Sequence, residues 1–206
     1  VQALQSPNRA NNMRFTYHAD GFEVKSRVKD AESWQIKMNL KGLYRDKIPV
    51  LVPISNPVIT LNGNQLVYHH NTFDVEYINN MHGMRQNFIV HQKPNGSSPL
   101  KVMLQVKADN LMMKCNGNVL SATWNNKIKY NYSNLKVWDA DKIDVPAHME
   151  LENNLLAIVV NDHDARYPLT IDPLCTSPDA TVESNQHDAE MGWSVASAGD
   201  VNGDGY

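Results

Sequence analysis

Trp34-Gln35-Ile36-Lys37-Met38-Asn39-Leu40 decides the fold class. Apolar and polar residues alternate through this stretch without a break. Successive side chains of an extended strand point to opposite faces, so Trp34, Ile36, Met38 and Leu40 share one side of a sheet. The same period of two recurs on either side, in Phe15-Thr16-Tyr17, Phe22-Glu23-Val24, Phe73-Asp74-Val75-Glu76-Tyr77 and Val102-Met103-Leu104-Gln105-Val106. Ile128-Lys129-Tyr130, Leu135-Lys136-Val137 and Met149-Glu150-Leu151 continue it. No segment sustains the 3.6-residue apolar period of an amphipathic helix.

Turn chemistry separates these runs. Asn62-Gly63 and Asn116-Gly117 each sit between two strand-like segments, and Asn-Gly tolerates the positive φ that a tight hairpin needs. Glu152-Asn153-Asn154-Leu155 is a third turn of this kind. Pro53, Pro57 and the stretch from Pro94 to Pro99 mark loops or strand breaks. Roughly twelve to fifteen short strands with frequent turns predict an antiparallel all-β fold, with a β-sandwich as its simplest form, because two half-apolar sheets bury each other's inner faces. Residues 1–175 form this module. An internal boundary near 94–99 would divide it into two sandwich-like halves, and one large domain is the other option. Residues 176–190 are polar and read as a linker.

Composition limits the partners. The net charge of −3 and the absence of a Lys/Arg-rich run argue against nucleic acid and against anionic membrane surfaces. The longest apolar run, Leu155–Val160, is far shorter than the roughly 20 residues a membrane-spanning helix requires, so no membrane insertion is expected. The chain opens Val1-Gln2-Ala3, as a processed or trimmed protein does. Cys115 and Cys175 leave two readings open, one disulfide or two separate buried thiols.

The final stretch Asp200-Val201-Asn202-Gly203-Asp204-Gly205-Tyr206 opens a calcium loop. Oxygen-bearing side chains at positions 1, 3 and 5 point inward, and Gly at position 6 takes the sharp turn. Asp200, Asn202 and Asp204 are therefore metal-ligand candidates. The later carboxylate such a loop needs does not follow, so calcium is expected in a full-length protein and no cofactor in this sequence by itself. A short strand-like run, Val195–Ala198, precedes the loop.

Residues 191–206, MGWSVASAGDVNGDGY, resemble the start of an FG-GAP repeat, the blade of integrin-α-type β-propellers. Met191-Gly192 stands where Phe-Gly is usual. Leu135–Ala140, Val145–Ala147 and Arg166–Pro173 are similar to a segment that precedes FG-GAP arrays in large secreted or surface proteins of bacteria, notably of the Bacteroidetes type. Gly83–Val90 looks like an earlier part of the same N-terminal module. The resemblance implies an extracellular or cell-surface protein in which this module stands ahead of a propeller.

Catalytic signatures are missing from the sequence. It has no Gly-x-Ser-x-Gly, no His-Glu-x-x-His and no phosphate-cradling glycine loop. Asp139, Asp141, Asp144, Glu150 and Glu152 are close enough in sequence to suggest a glycosidase pair, but on hairpin strands such charges form a solvated face. Asp162-His163-Asp164 reads as a polar turn before it reads as a metal cluster. His69 and His70 would point to opposite sheet faces and so could not share one metal simply. Trp34 and Trp138 fit core positions, while Trp124, at a polar turn, is the candidate ligand-facing aromatic.

The expectation is a non-catalytic extracellular module with a structural, adhesive or partner-binding role. Its partners would be other surface proteins or copies of itself. Three alternatives stand beside it: a carbohydrate-binding module that stacks glycans on aromatics, a subunit of an extracellular assembly or fibre, and a hydrolase whose site is assembled from distant residues.

Overall fold

A computed structural model describes residues 4–27 and 33–177. These residues form two antiparallel eight-stranded sheets packed as a sandwich, with no helix among them. The chain begins with β1 (Leu4–Asn8), β2 (Met13–His18), β3 (Gly21–Ser26), β4 (Gln35–Arg45) and β5 (Ile48–Leu51) in the first sheet. It crosses to the second sheet for β6 (Val58–Asn62), β7 (Gln65–His69), β8 (Phe73–Asn80) and β9 (Gly83–Val90), then returns for β10 (Leu100–Asp109). β11 (Met112–Asn116), β12 (Val119–Trp124) and β13 (Lys127–Trp138) lie in the second sheet. β14 (Ala147–Glu152) and β15 (Leu155–Val160) lie in the first, and β16 (Leu169–Thr176) in the second.

The first sheet runs β1-β2-β3-β4-β10-β15-β14, with β5 also on β4. The second runs β11-β12-β13-β16-β9-β8-β7-β6. Strands from both sides of residues 94–99 therefore share both sheets: β4 pairs with β10, and β9 pairs with β16. Residues 94–99 lie on the crossing from β9 to β10, and strands on either side of it contribute to one hydrophobic core.

The alternation that begins at Trp34 packs as its period dictates. Ile36, Met38 and Leu40 are buried on β4, and Trp34 is buried just before it. Aromatic rings join the two sheets. Tyr17 of β2 lies 4.8 Å from Tyr77 of β8, and Phe22 of β3 meets the same ring edge-on. Two fully buried tyrosines satisfy their hydroxyls internally: Tyr132 donates to Gln86 Oε1 at 2.8 Å, and Tyr130 donates to Cys175 Sγ at 3.2 Å.

Register shifts override simple alternation at several places among the described strands, two of them on β4 and β13. On β4 the register slips at Lys41, so Leu104 faces Leu40 whereas Val102 faces Leu43 and Leu100 faces Arg45. The phase change carries Leu43 to the inner face and Arg45 with it. On β13 the extra residue Lys129, opposite the Ala122–Thr123 step of β12, leaves Ile128 exposed while Tyr130, two residues on, is fully buried.

The hairpins show two turn chemistries. Asn62 pairs with Gln65 and Asn116 with Val119, so the central residues are Gly63-Asn64 and Gly117-Asn118. Positive φ falls on the glycine alone, the arrangement of type II′ turns, one residue later than an Asn-Gly turn would place it. Asn125-Asn126 and Asn153-Asn154 carry positive φ at both central positions, as type I′ turns require. Gly21 answers a different demand, since a Cβ there would come 1.9 Å from the Met38 carbonyl oxygen.

Candidate functional site

Enzymes place their perturbed groups where burial and charge act together, and in this molecule such groups begin with Arg45 and Asp162. The Arg45 guanidinium, carried inward by the β4 bulge, meets the Asp162 carboxylate through hydrogen bonds of 3.0 and 2.6 Å. Their side chains are 5% and 2% exposed. Tyr167 donates to Asp162 Oδ2 at 2.6 Å, and Arg45 also donates to the carbonyls of Pro94 and Ser98. The 94–98 loop is wrapped around the arginine so closely that a Cβ on Gly96 would lie 2.6 Å from Arg45 Cδ. Burial alone would raise the Asp162 carboxyl, but the bonds from Arg45 and Tyr167 outweigh it and hold the group below the usual carboxylate range. The Arg45 guanidinium, the Asp162 carboxylate and the Tyr167 hydroxyl all find partners within the cluster, while the Ser98 hydroxyl is buried there without one, and the cluster ties β4, the crossing loop and the approach to β16 together.

The other buried carboxylates are similarly engaged. Asp139 accepts the backbone N–H groups of Asp141, Ile143 and Arg166 at 2.9, 3.0 and 3.2 Å, which closes the loop after β13. Burial works to raise its pKa, and these donors hold it below the ordinary value. Asp172 of β16 receives two bonds from Arg85 of β9, yet burial dominates and its pKa is raised. Asp141 pairs with Arg166, and Glu150 with His148. Asp139, Asp141 and Glu150, three of the carboxylates grouped in sequence between 139 and 152, thus serve a turn and surface pairs. In Asp162-His163-Asp164 the first residue is buried on Arg45, while His163 and Asp164 contact each other in solvent.

His69 and His70 do point to opposite faces. His70 is buried, stacks on Phe73 and accepts the Ile54 N–H at 3.1 Å. His69 lies on the outer face of the second sheet in a row that sequence spacing did not reveal. Its Nδ1 is 3.0 Å from Asp74 Oδ1, its Nε2 is 3.0 Å from Thr60 Oγ1, and Asp74 Oδ2 is 3.0 Å from His91 Nε2. Hydroxyl, imidazole and carboxylate follow in the order of a nucleophilic triad. The row lies across the pleated face of β6, β7 and β8, however, with His69 40% exposed. Backbone N–H groups of a strand run in the plane of the sheet, so none converges on a reacting carbonyl above Thr60, and the oxyanion half of the machinery is not built. The register pairs His69 with Asp74, which the period-two pattern could have foretold. His91 follows the end of β9, and no sequence pattern links it to Asp74.

The remaining sequence candidates separate. Asp200, Asn202, Asp204 and the FG-GAP-like stretch lie outside the described residues. No group of three or more His, Cys, Asp or Glu side chains among the described residues is placed to hold a metal ion. Cys115 and Cys175 are free thiols. Cys115 faces Leu120, Leu120 faces Tyr132 and Tyr132 faces Cys175, so three strand spacings, about 14 Å, lie between the two cysteines. A disulfide needs Cα atoms within about 7 Å, and the bridged reading gives way to two separate thiols. Trp124 ends β12 half-buried, with Lys129 Nζ 6.0 Å from the ring centre. Trp138, expected in the core, is half-buried under Lys142 at 5.4 Å.

Two surface features remain. A groove of about 540 Å³ is bordered by Pro7, Asn8 and Ala10 on one side and Asn79, Asn80 and Met81 on the other. Its floor is an amide network: Asn8 donates to Asn79 Oδ1 at 2.7 Å and to the Asn80 carbonyl at 2.8 Å, and Asn11 bonds Asn8. The second feature is β6, the edge of the second sheet. All five of its residues are exposed, although Ile59 and Leu61 face the same side as the buried Tyr68 and Leu66. Val58, Ile59 and Leu61 are 71%, 45% and 61% exposed. The inner face of the second sheet is therefore uncovered at its last strand, and β6 carries three exposed large apolar side chains where no other described strand carries more than one. Comparison with protein-family models, curated proteins and solved structures gave no match to this chain.

Proposed function

We propose that this chain is a non-catalytic extracellular module that engages partners through the β6 rim of its second sheet. The observation that carries the reading is β6 itself, an edge strand with apolar side chains exposed on both faces beside an otherwise closed core. Exposed apolar edges of this kind serve recognition by strand addition or by face packing. The engaged state of Arg45, Asp139, Asp162 and Asp172 supports the non-catalytic half, since each buried charge is used to hold loops and strands. The resemblance at 135–206 supports a place ahead of an FG-GAP propeller in a secreted or surface protein, with calcium held by that neighbour.

The Thr60–His69–Asp74 row gives the sharpest test. Hydrolysis of p-nitrophenyl acetate and of a panel of p-nitrophenyl glycosides is measured with wild type and His69→Ala. Rates equal to the free-imidazole background, and equal in the two proteins, are expected. Saturable turnover that His69→Ala abolishes overturns the non-catalytic reading. The carbohydrate alternative is tested by a glycan array, on which a signal lost in Trp124→Ala would replace the rim with the aromatic as the working surface.

A further inference from the structure

β6 differs from the other strands that end the two sheets. β1 carries Pro7, β14 carries His148, Glu150 and Glu152, and β11 carries Lys114. Prolines and charges on an edge discourage pairing with another chain. β5, which occupies part of the β4 edge, contains Pro49. Val58-Ile59-Thr60-Leu61-Asn62 has neither proline nor charge.

The open hydrogen-bonding groups of β6 follow from its register. Asn62 and Gln65 flank a two-residue turn, so they form a hydrogen-bonded pair, and Thr60–Val67 and Val58–His69 repeat it. The N–H and C=O groups of Ile59 and Leu61 therefore point outward along the sheet plane. This spacing is self-complementary. A second β6 running antiparallel about a two-fold axis at Thr60 sets Ile59 opposite Leu61 of the other copy, and Leu61 opposite Ile59. Both pairs fall at hydrogen-bonding positions, while Thr60 meets its own counterpart at a non-hydrogen-bonded position. The strand carries no charge to repel its copy, and the uncovered Ile59 and Leu61 side chains gain cross-strand apolar partners on the inner face.

We infer that β6 is a self-association edge, pairing with β6 of a second copy to continue the second sheet across a two-fold axis. The inference rests on the partner-binding reading of the rim and names its occupant. Closed two-fold pairing is the commonest symmetry of homo-oligomers.

The test is sedimentation velocity across a concentration series of the chain, wild type and Ile59→Pro. The substitution removes an outward N–H and leaves the β6–β7 ladder intact, so the fold should persist by far-UV circular dichroism. A concentration-dependent dimer is expected in wild type, weakened at least about tenfold in Ile59→Pro. Should Ile59→Pro not fold, Thr60→Cys decides the matter. Two copies of that position face each other about 4.5 Å apart between Cα atoms, close enough for an interchain disulfide. Crosslinking of Thr60→Cys under mild oxidation, absent from Thr123→Cys, supports the inference. A wild type monomeric at every concentration overturns it, as does a dimer that Ile59→Pro leaves unchanged and Thr60→Cys does not crosslink. Monomers of that kind leave the edge open to a strand from a different protein, so the partner-binding reading fails separately, by a glycan signal that depends on Trp124 or by Ile59 and Leu61 amides already protected in the dilute chain.

Discussion

Replacing Asp162 with alanine should cost more stability than any surface substitution in the molecule. The carboxylate removed is 2% exposed and faces a guanidinium that is 5% exposed. Arg45 keeps its charge, held above its ordinary pKa by the bond to Asp162 and opposed by burial. Without Asp162 the guanidinium keeps the neutral carbonyls of Pro94 and Ser98 but no counter-charge, and Tyr167 loses its acceptor. Removing one partner of a buried ion pair costs about 3–5 kcal/mol. That is a large share of the roughly 5–15 kcal/mol a domain has in total. At about 2–4 °C per kcal/mol for a chain of this size, the melting temperature should fall by roughly 6–20 °C. Urea unfolding followed by tryptophan fluorescence and circular dichroism gives the free energy directly. The double substitution Arg45→Met with Asp162→Leu removes both charges and should recover most of the loss, because apolar residues of similar volume replace such pairs at little cost. A loss below about 1 kcal/mol for Asp162→Ala, or a double variant no better than the single, refutes the claim that this pair is sealed from water.

Two of the three buried aspartates, Asp162 and Asp172, should respond to pH in opposite directions. Asp162 is depressed in the folded state, so its contribution is present above the unfolded carboxylate pKa near 4 and is lost as pH falls below it. Asp172 is raised, so its contribution is largest in acid and declines as pH rises from about 4 through its folded value. Urea unfolding of Asp162→Asn and Asp172→Asn between pH 3 and 7 checks this: the deficit of the first against wild type should grow with pH, and that of the second should move toward stabilisation. Gly21→Ala forces a Cβ into the Met38 carbonyl and should cost at least about 3 kcal/mol, whereas Gly63→Ala meets open space and only a positive φ, costing about 1 kcal/mol. Thermal melts separate the two. In native protein Cys175 should resist thiol reagents until the fold opens, since it is fully buried and burial pushes its thiol up, and denatured protein should yield two free thiols without reductant.

The period-two signal made the core legible. Trp34, Ile36, Met38 and Leu40 are buried, as alternation requires, and so are Phe15, Tyr17, Phe22, Val24, Phe73, Val75 and Tyr77. What alternation could not carry was a change of phase. The bulge at Lys41 has no mark in the local pattern, so the burial of Arg45, and with it the main ion pair, was invisible. The bulge at Lys129 on β13 misled in the other direction by making Ile128 look like core. Asn-Gly announced the hairpins but misplaced their centres by one residue, because either Asn-Gly or Gly-Asn closes a two-residue turn. Pairing across the sheets was beyond reach. Nothing local in Cys115 and Cys175 says that Leu120 and Tyr132 stand between them, and nothing near His91 says that it shares Asp74 with His69. The exposed face of β6 was hidden for a similar reason: Val58, Ile59 and Leu61 read as ordinary strand residues until the order of the sheet placed them at its end.

Residue-resolved amide exchange in dilute solution tests the central claim most directly, because it reports which backbone groups the sandwich leaves open. Ile59 and Leu61 amides should exchange fast, with Thr60 between them slower because it is bonded to β7, and the amides of β9, β10 and β16 should be protected toward the global stability. Protection of Ile59 and Leu61 equal to that of Thr60 in the dilute chain would contradict the account, since the rim would then be already covered.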